Sequence, residues 1–344
     1  MPLTRFVLKL LSIFVLSIAV SSCTHQSVSP SIYYWKTTFR LSNTEQGYLK
    51  KAGIEKMYLR LFDIDWDNTT KRPLPAGSIR FVDSIPPNLL LVPVVYITNK
   101  VFVNSKPEEI EPLAKHLFTK ITSICRAHHI RYKEIQIDCD WSDKSRNNYF
   151  NLLRALTQKL NKDQFLSATI RLHQIKYSSI TGVPPVKRGM LMFYNMGKIS
   201  PKADYNSIYN KEDAARYTQN IKNYALPLDV ALPAFSWGIQ LRDGKVVGLL
   251  NNFSSSFLKN NLFEKQEGSY YKAKDACFFR SYYFKKDDLI KIEELTPELT
   301  LQAAQQISQE LKADARSVSI YHCDSLIFTR YEKNDLNKIY HCFR

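Results

Sequence analysis

Apolar residues in this chain gather into eight short runs, and stretches with helical spacing separate most of them. The runs at 31–39, 56–64, 89–98, 134–140, 165–172, 189–195, 228–235 and 317–322 read as strands. Pro93 is an irregularity within the third. Helical spacing predicts helices over 44–52, 107–128, 143–160, 211–224 and 295–311. In the second of these Ile110, Leu113, Leu117, Ile121 and Ile124 recur at three- and four-residue steps. In the third the stripe is Tyr149, Leu152, Leu153, Leu156 and Leu160, with Ser142 placed to cap its start. Strand–helix alternation implies parallel strands. Eight of them favour a closed (β/α)8 TIM barrel over an open doubly wound sheet. No glycine-rich turn follows the first strand, so no dinucleotide is expected, and no other cofactor either. Two insertions break the rhythm, one after strand 2 (66–87) and one after strand 7 (238–286). The second contains Arg242-Asp243-Gly244-Lys245, a hairpin signal. Both would lie at the C-terminal end of the barrel, where loops build sites.

The fourth run is the most informative. Side chains alternate across a strand, so Gln136, Asp138 and Asp140 share one face while Ile135, Ile137 and Cys139 share the other. A face with an amide and two carboxylates suits a barrel lumen opening into a cleft better than a dry core. The two carboxylates have Cα atoms about 6.5 Å apart, close enough for one to polarise or orient the other. Asp140, nearer the mouth, is the candidate for substrate contact and proton donation. Asp138, one pleat deeper, would orient it or pair with a lumen arginine, for which Arg60 is the candidate. Asp63, Asp65 and Asp67 cluster around Trp66 at the end of strand 2. Asp63 or Asp65 could be a second carboxylate facing the cleft, since glycoside hydrolysis needs two. The cluster does not have the spacing of an EF-hand, and no metal is expected. Trp35, Trp66, Trp141, Tyr194 and Trp237 fall near strand ends, where they would stack on sugar rings or close the barrel as core. His173 and His322 end strands 5 and 8 and are candidate bases or plain polar neighbours.

Residues 135–142 resemble the strand-four signature of family 18 chitinases, Asp-x-x-Asp-x-Asp-x-Glu. Asp138 and Asp140 match its second and third acidic positions, and Trp141 its aromatic. Ile135 replaces the first acid and Ser142 the catalytic glutamate. Met192-Phe193-Tyr194-Asn195 resembles the family's Met-x-Tyr-Asp, with Asn195 for the aspartate. The resemblance implies a TIM barrel that acts on glycan, with Asp138, Asp140 and Tyr194 at its centre. It implies sugar contacts from Trp141 and Asn195, to which the reading of the residues adds Trp35, Arg60, Asp63, Trp66 and Trp237. A serine cannot supply the proton that the family glutamate gives its leaving group. Either Asp140 takes that role, another loop provides an acid, or the barrel binds sugar without cleaving it. The chain also resembles bacterial lipoproteins of unknown function that carry a strand-four Asp-x-Asp.

The N-terminus changes the picture of where this happens. Arg5 and Lys9 precede an apolar run at 10–20, and Val20-Ser21-Ser22-Cys23 resembles a lipobox. The expected division is a signal peptide (1–22), a lipidated tether (23–30) and one barrel domain (31–344). Lipid on Cys23 would anchor the protein in the bacterial cell envelope. No aspartate follows Cys23, so the outer membrane is the expected address. The other five cysteines match neither a zinc site nor a disulfide scaffold, and an odd number leaves at least one thiol free. The formal charge of +16 suits anionic lipid headgroups or acidic polysaccharide, or is simply a basic surface. Nucleic acid is not an expected partner of an exported protein. The sequence therefore describes a lipid-anchored barrel that hydrolyses or binds glycan. The alternative is a non-catalytic lipoprotein that presents its loops to a protein partner in the envelope.

Overall fold

Eight parallel strands close on themselves in the computed structural model, which describes residues 28–312, 314 and 316–344. They are β1 (Val28–Tyr34), β2 (Lys56–Asp67), β3 (Leu90–Ile97), β4 (Glu134–Asp138), β5 (Phe165–Arg171), β6 (Arg188–Met192), β7 (Leu228–Pro233) and β8 (Arg316–Tyr321). β1 pairs with β8 on one side and β2 on the other, which shuts the barrel. The signal peptide and Cys23 lie outside the described residues. Val28 to Pro30, expected in the tether, are already strand, with Val28 level with Arg316.

Helices cover the barrel because each has one apolar face. α1 (Asn43–Lys51) starts with a capping box in which Ser42 and Glu45 satisfy each other's backbone amides. α2 (Ile110–Ala127) buries Ile110, Leu113, Leu117, Ile121 and Cys125. α3 (Arg146–Thr157) buries Tyr149, Leu152, Leu153 and Leu156. It starts later than the sequence suggests. Ser142 does not cap it: the Ser142 carbonyl accepts from the amides of Ser145 and Arg146, making a turn that delays the helix. α4 (Lys211–Thr218), α5 (Pro297–Ser308) and α6 (Lys333–His341) complete the layer. Thr296 caps α5 by accepting from the Leu299 amide, just ahead of Pro297.

Two additions stand at the C-terminal end of the strands. Residues Arg72–Ala76 fold back antiparallel on the end of β2. After β7 the chain forms a five-stranded antiparallel sheet between Ser236 and Glu294. Its first turn holds Asp243 and Gly244 at φ 49° and 71°, and Arg242 pairs with Lys245 across it, a two-residue hairpin. The sheet has its own core, which includes Phe253, Phe263, Phe284 and Ile290.

The barrel's N-terminal end is closed by charge. Lys56 Nζ donates to Glu134 at 2.7 Å and to Ser317 Oγ at 3.0 Å. Ser167 Oγ donates to the same glutamate at 2.6 Å. Beside them Arg188 pairs with Asp229 at 3.0 Å. Above this floor Tyr33 and Tyr58 stack 4.8 Å apart, and Tyr33 donates to Gln136 Oε1 at 2.5 Å. The five cysteines among the described residues are all free, with Cys125, Cys139 and Cys323 buried.

Candidate functional site

A cavity of about 700 Å³ opens where the strands end, within the range of about 300–1,000 Å³ usual for small-ligand sites. β4 brings Asp138 to its base and the loop after β4 brings Asp140 to its side. Asp138 is nearly covered, its side chain 5% exposed. Its Oδ1 accepts from Thr169 Oγ1 at 2.5 Å and from Arg171 Nη2 at 3.1 Å, both on β5. Burial acts most strongly against the Arg171 charge, but Asp138, Tyr194 and Asp140 together outweigh it and the guanidinium is held more firmly protonated than usual. Arg171 also acts electrostatically on the hydroxyl of Tyr194, which donates to Met192 Sδ at 3.3 Å. Burial, reinforced by Tyr321, raises the Tyr194 hydroxyl well above the usual phenol range. Tyr194 therefore keeps its proton at neutral pH and can act as a donor.

Asp140 is of a different kind. Its side chain is 55% exposed, and Oδ1 stands 3.5 Å from His173 Nε2. The cleft wall is aromatic. Tyr194 and Tyr321 lie 5.1 Å apart, Trp35 and Tyr321 6.0 Å apart, and Phe235 meets Trp237 edge-on at 5.6 Å. Trp237 is anchored from behind: its Nε1 donates to Glu293 at 2.8 Å, and Glu293 also accepts from Lys291 and Ser207. Asn195 lines the cleft at φ 55°, a conformation asparagine tolerates better than most residues. On the far wall His322 faces Asp324 at 3.8 Å, and burial, partly offset by Asp324, depresses its imidazole pKa.

The structure thus brings Trp35, Asp138, Asp140, Tyr194, Asn195 and Trp237 together. It does not bring in Arg60, Asp63, Asp65, Trp66 or Trp141. Arg60 is not the partner of Asp138. It makes a two-point pair with Asp63, and its guanidinium backs the Trp35 ring at 5.9 Å. The cause is a bulge in β2 between Arg60 and Phe62, which puts residues three apart on one side. Gly77, at φ 53°, passes so close to Arg60 that a Cβ there would sit 2.6 Å from Nη2. Asp63 is consequently a structural partner rather than a second cleft carboxylate. Asp65 accepts from Thr98 and from the Trp66 amide, outside the cleft. Trp66 packs against the main core. Trp141 cannot stack on sugar: it is fully buried, donates Nε1 to the Thr181 carbonyl at 2.9 Å and stacks on Tyr149. Arg171, Tyr96, Phe235 and Tyr321 line the cleft although the sequence reading passed them over. Ser167, Thr169 and Arg171 alternate on β5 as Gln136 and Asp138 do on β4, which was the available signal for Arg171. Among the described residues no group of three or more His, Cys, Asp or Glu is placed to hold a metal ion.

An aromatic cleft with carboxylates thus stands at the C-terminal mouth of a closed parallel (β/α)8 barrel. The fold is that of the chitinase-like barrels. The chain resembles the spore cortex-lytic enzyme SleL of Bacillus cereus at TM-score 0.55 and 11% identity, over 93% of this chain and 75% of that one. It resembles a chitinase of Chromobacterium violaceum at TM-score 0.54 and 10% identity, over 90% and 98%. It also resembles a chitinase-like agglutinin of Robinia pseudoacacia at TM-score 0.52 and 11% identity, over 91% and 99%. At such identities the likeness is one of fold. No protein-family model matches the chain, and no curated protein does.

Proposed function

We propose that this barrel binds glycan in its aromatic cleft, held at the bacterial outer membrane by lipid on Cys23. The carrying observation is the pairing of a flat aromatic wall, Trp35, Tyr194, Tyr321 and Trp237, with one solvent-open carboxylate, Asp140. Sugar rings present apolar C–H faces to aromatics and hydroxyls to carboxylates and amides. The fold's neighbours include a chitinase and a chitinase-like agglutinin, so the same barrel is found in both kinds of protein.

Binding without cleavage is the better-supported form of this reading. Hydrolysis asks for a carboxylic proton donor at the scissile bond and, in most families, for a second carboxyl group across it. Asp138 is committed to Arg171 and Thr169, and Ser142 stands where the family signature has its glutamate. Any turnover would run through Asp140 with His173 beside it. A glycan array followed by product analysis tests both forms. Asp140→Asn keeps the shape and should leave the melting temperature unchanged while weakening glycan binding by about 10-fold or more, the worth of a charged hydrogen bond. Products released by wild type and lost in Asp140→Asn would make it an enzyme. Absence of binding to every glycan would remove the sugar reading.

A second reading has its own observation. In the hairpin Cys277–Phe284, Phe278 is 78% exposed and its ring lies 4.9 Å from that of Tyr283, also exposed. Adjacent exposed aromatics suit a protein partner in the envelope.

The anchor has a separate test. Labelled fatty acid should enter the wild-type protein in bacterial cells and not Cys23→Ala. Equal label in both would remove the lipid and, with it, the argument for the outer membrane.

A further inference from the structure

We propose that the N-terminal end of the barrel is a membrane-facing surface that rests on anionic headgroups, so that the cleft points away from the bilayer. Two observations meet here. The first is charge. The segments that lead into β2, β4, β5, β6, β7 and β8 (50–55, 126–133, 158–164, 182–187, 219–227, and 309–312 with 314) all lie at this end. Lys51, Arg126, Arg131, Lys133, Lys187 and Lys222 are exposed there. The exposed acids among the described residues of these segments are Glu55 and Asp163. Of the partly covered acids, Asp314 is paired with Arg188. Glu310 is partly covered as well. The loops at the cleft end carry both signs, with exposed Asp65, Asp140, Asp143 and Asp204 among their lysines and arginines. A face with such an excess of positive charge attracts an anionic surface within about a Debye length, ~8–10 Å.

The second observation is where the chain enters. β1 runs from the basic end toward the cleft, and Val28 is level with Arg316 at its start. From Cys23 to Val28 the chain can reach at most ~18 Å even when fully extended. The strands alone rise about 20 Å, and the cleft lies beyond them. A lipid on Cys23 would therefore hold the basic face, and not the cleft, at the bilayer. This placement rests on the anchor reading; the charge of the face does not.

The test uses the full chain, wild type and Cys23→Ala, on vesicles of pure phosphatidylcholine and of phosphatidylcholine with phosphatidylglycerol. Bound protein is acylated briefly and its lysines are read by mass spectrometry. Lys133, Lys187 and Lys222 should be protected several-fold on the anionic vesicles relative to the neutral ones, while Lys36, Lys198 and Lys202 near the cleft label equally on both. Arg131→Glu with Lys133→Glu, both at exposed positions, should lower partition onto anionic vesicles by at least about 10-fold. Protection of the cleft-end lysines, or the same pattern on both vesicles, would overturn the proposal. Fatty-acid labelling is scored separately. Loss of the anchor reading with the protection intact would leave the basic face as a lipid surface, whereas intact labelling without protection would refute the face alone.

Discussion

Arg171→Met is expected to cost about 3 kcal/mol of stability, the lower end of the range for breaking a buried pair, because the guanidinium keeps some contact with solvent. The penalty falls on Asp138. With its arginine gone, a covered carboxylate retains only the Thr169 hydroxyl as a partner. Tyr194 loses a cationic neighbour and the cleft one of its lining residues in the same change, so ligand binding should fall together with stability. Urea unfolding of the single variant and of Asp138→Leu with Arg171→Met separates the causes. The double variant, with no stranded charge, should recover most of the loss. A single-variant cost below about 1 kcal/mol would show that Asp138 does not depend on Arg171.

Trp141→Ala should be as damaging, at about 3–5 kcal/mol, for a different reason. The indole is fully enclosed and stacked on Tyr149 at 5.1 Å, so its removal leaves a cavity and an unpaired Thr181 carbonyl. Trp35→Ala provides the contrast. Trp35 is only partly buried and stands in the cleft wall, so its loss should weaken binding more than folding. A Trp141→Ala protein that melts like wild type yet fails to bind sugar would return Trp141 to the cleft.

These two tryptophans show what the chain discloses of itself. Alternation was readable because a strand's pleat fixes it: Gln136 and Asp138 point into the barrel, and Ile135, Ile137 and Cys139 pack outside, as the pattern requires. Strand–helix rhythm likewise carried the closed barrel. Position at a strand end was not enough to assign an aromatic. Trp141 turns under the following helix and Trp237 turns to the mouth, and the difference is set by distant partners, Thr181 for one and Glu293 for the other. Alternation with Tyr58 faces Arg60 inward and makes Asp138 its natural partner, but the bulge after Arg60 brings Asp63 onto the same side and nearer. The bulge that pairs it with Asp63 leaves no local mark in the residues themselves. Arg171 lay on an equally polar face of β5, but an arginine at a strand end says little until the carboxylate across from it is known.

The floor formed by Lys56, Glu134, Arg188 and Asp229 makes the barrel a dead end. Nothing can travel along its axis, so an occupant enters and leaves through one opening. A long polymer could lie across that opening or lower an end into it, but could not thread through. A chain that instead lowers one end into the opening would be lost as a ligand once that end is cross-linked, so a free and a capped polymer distinguish the two arrangements.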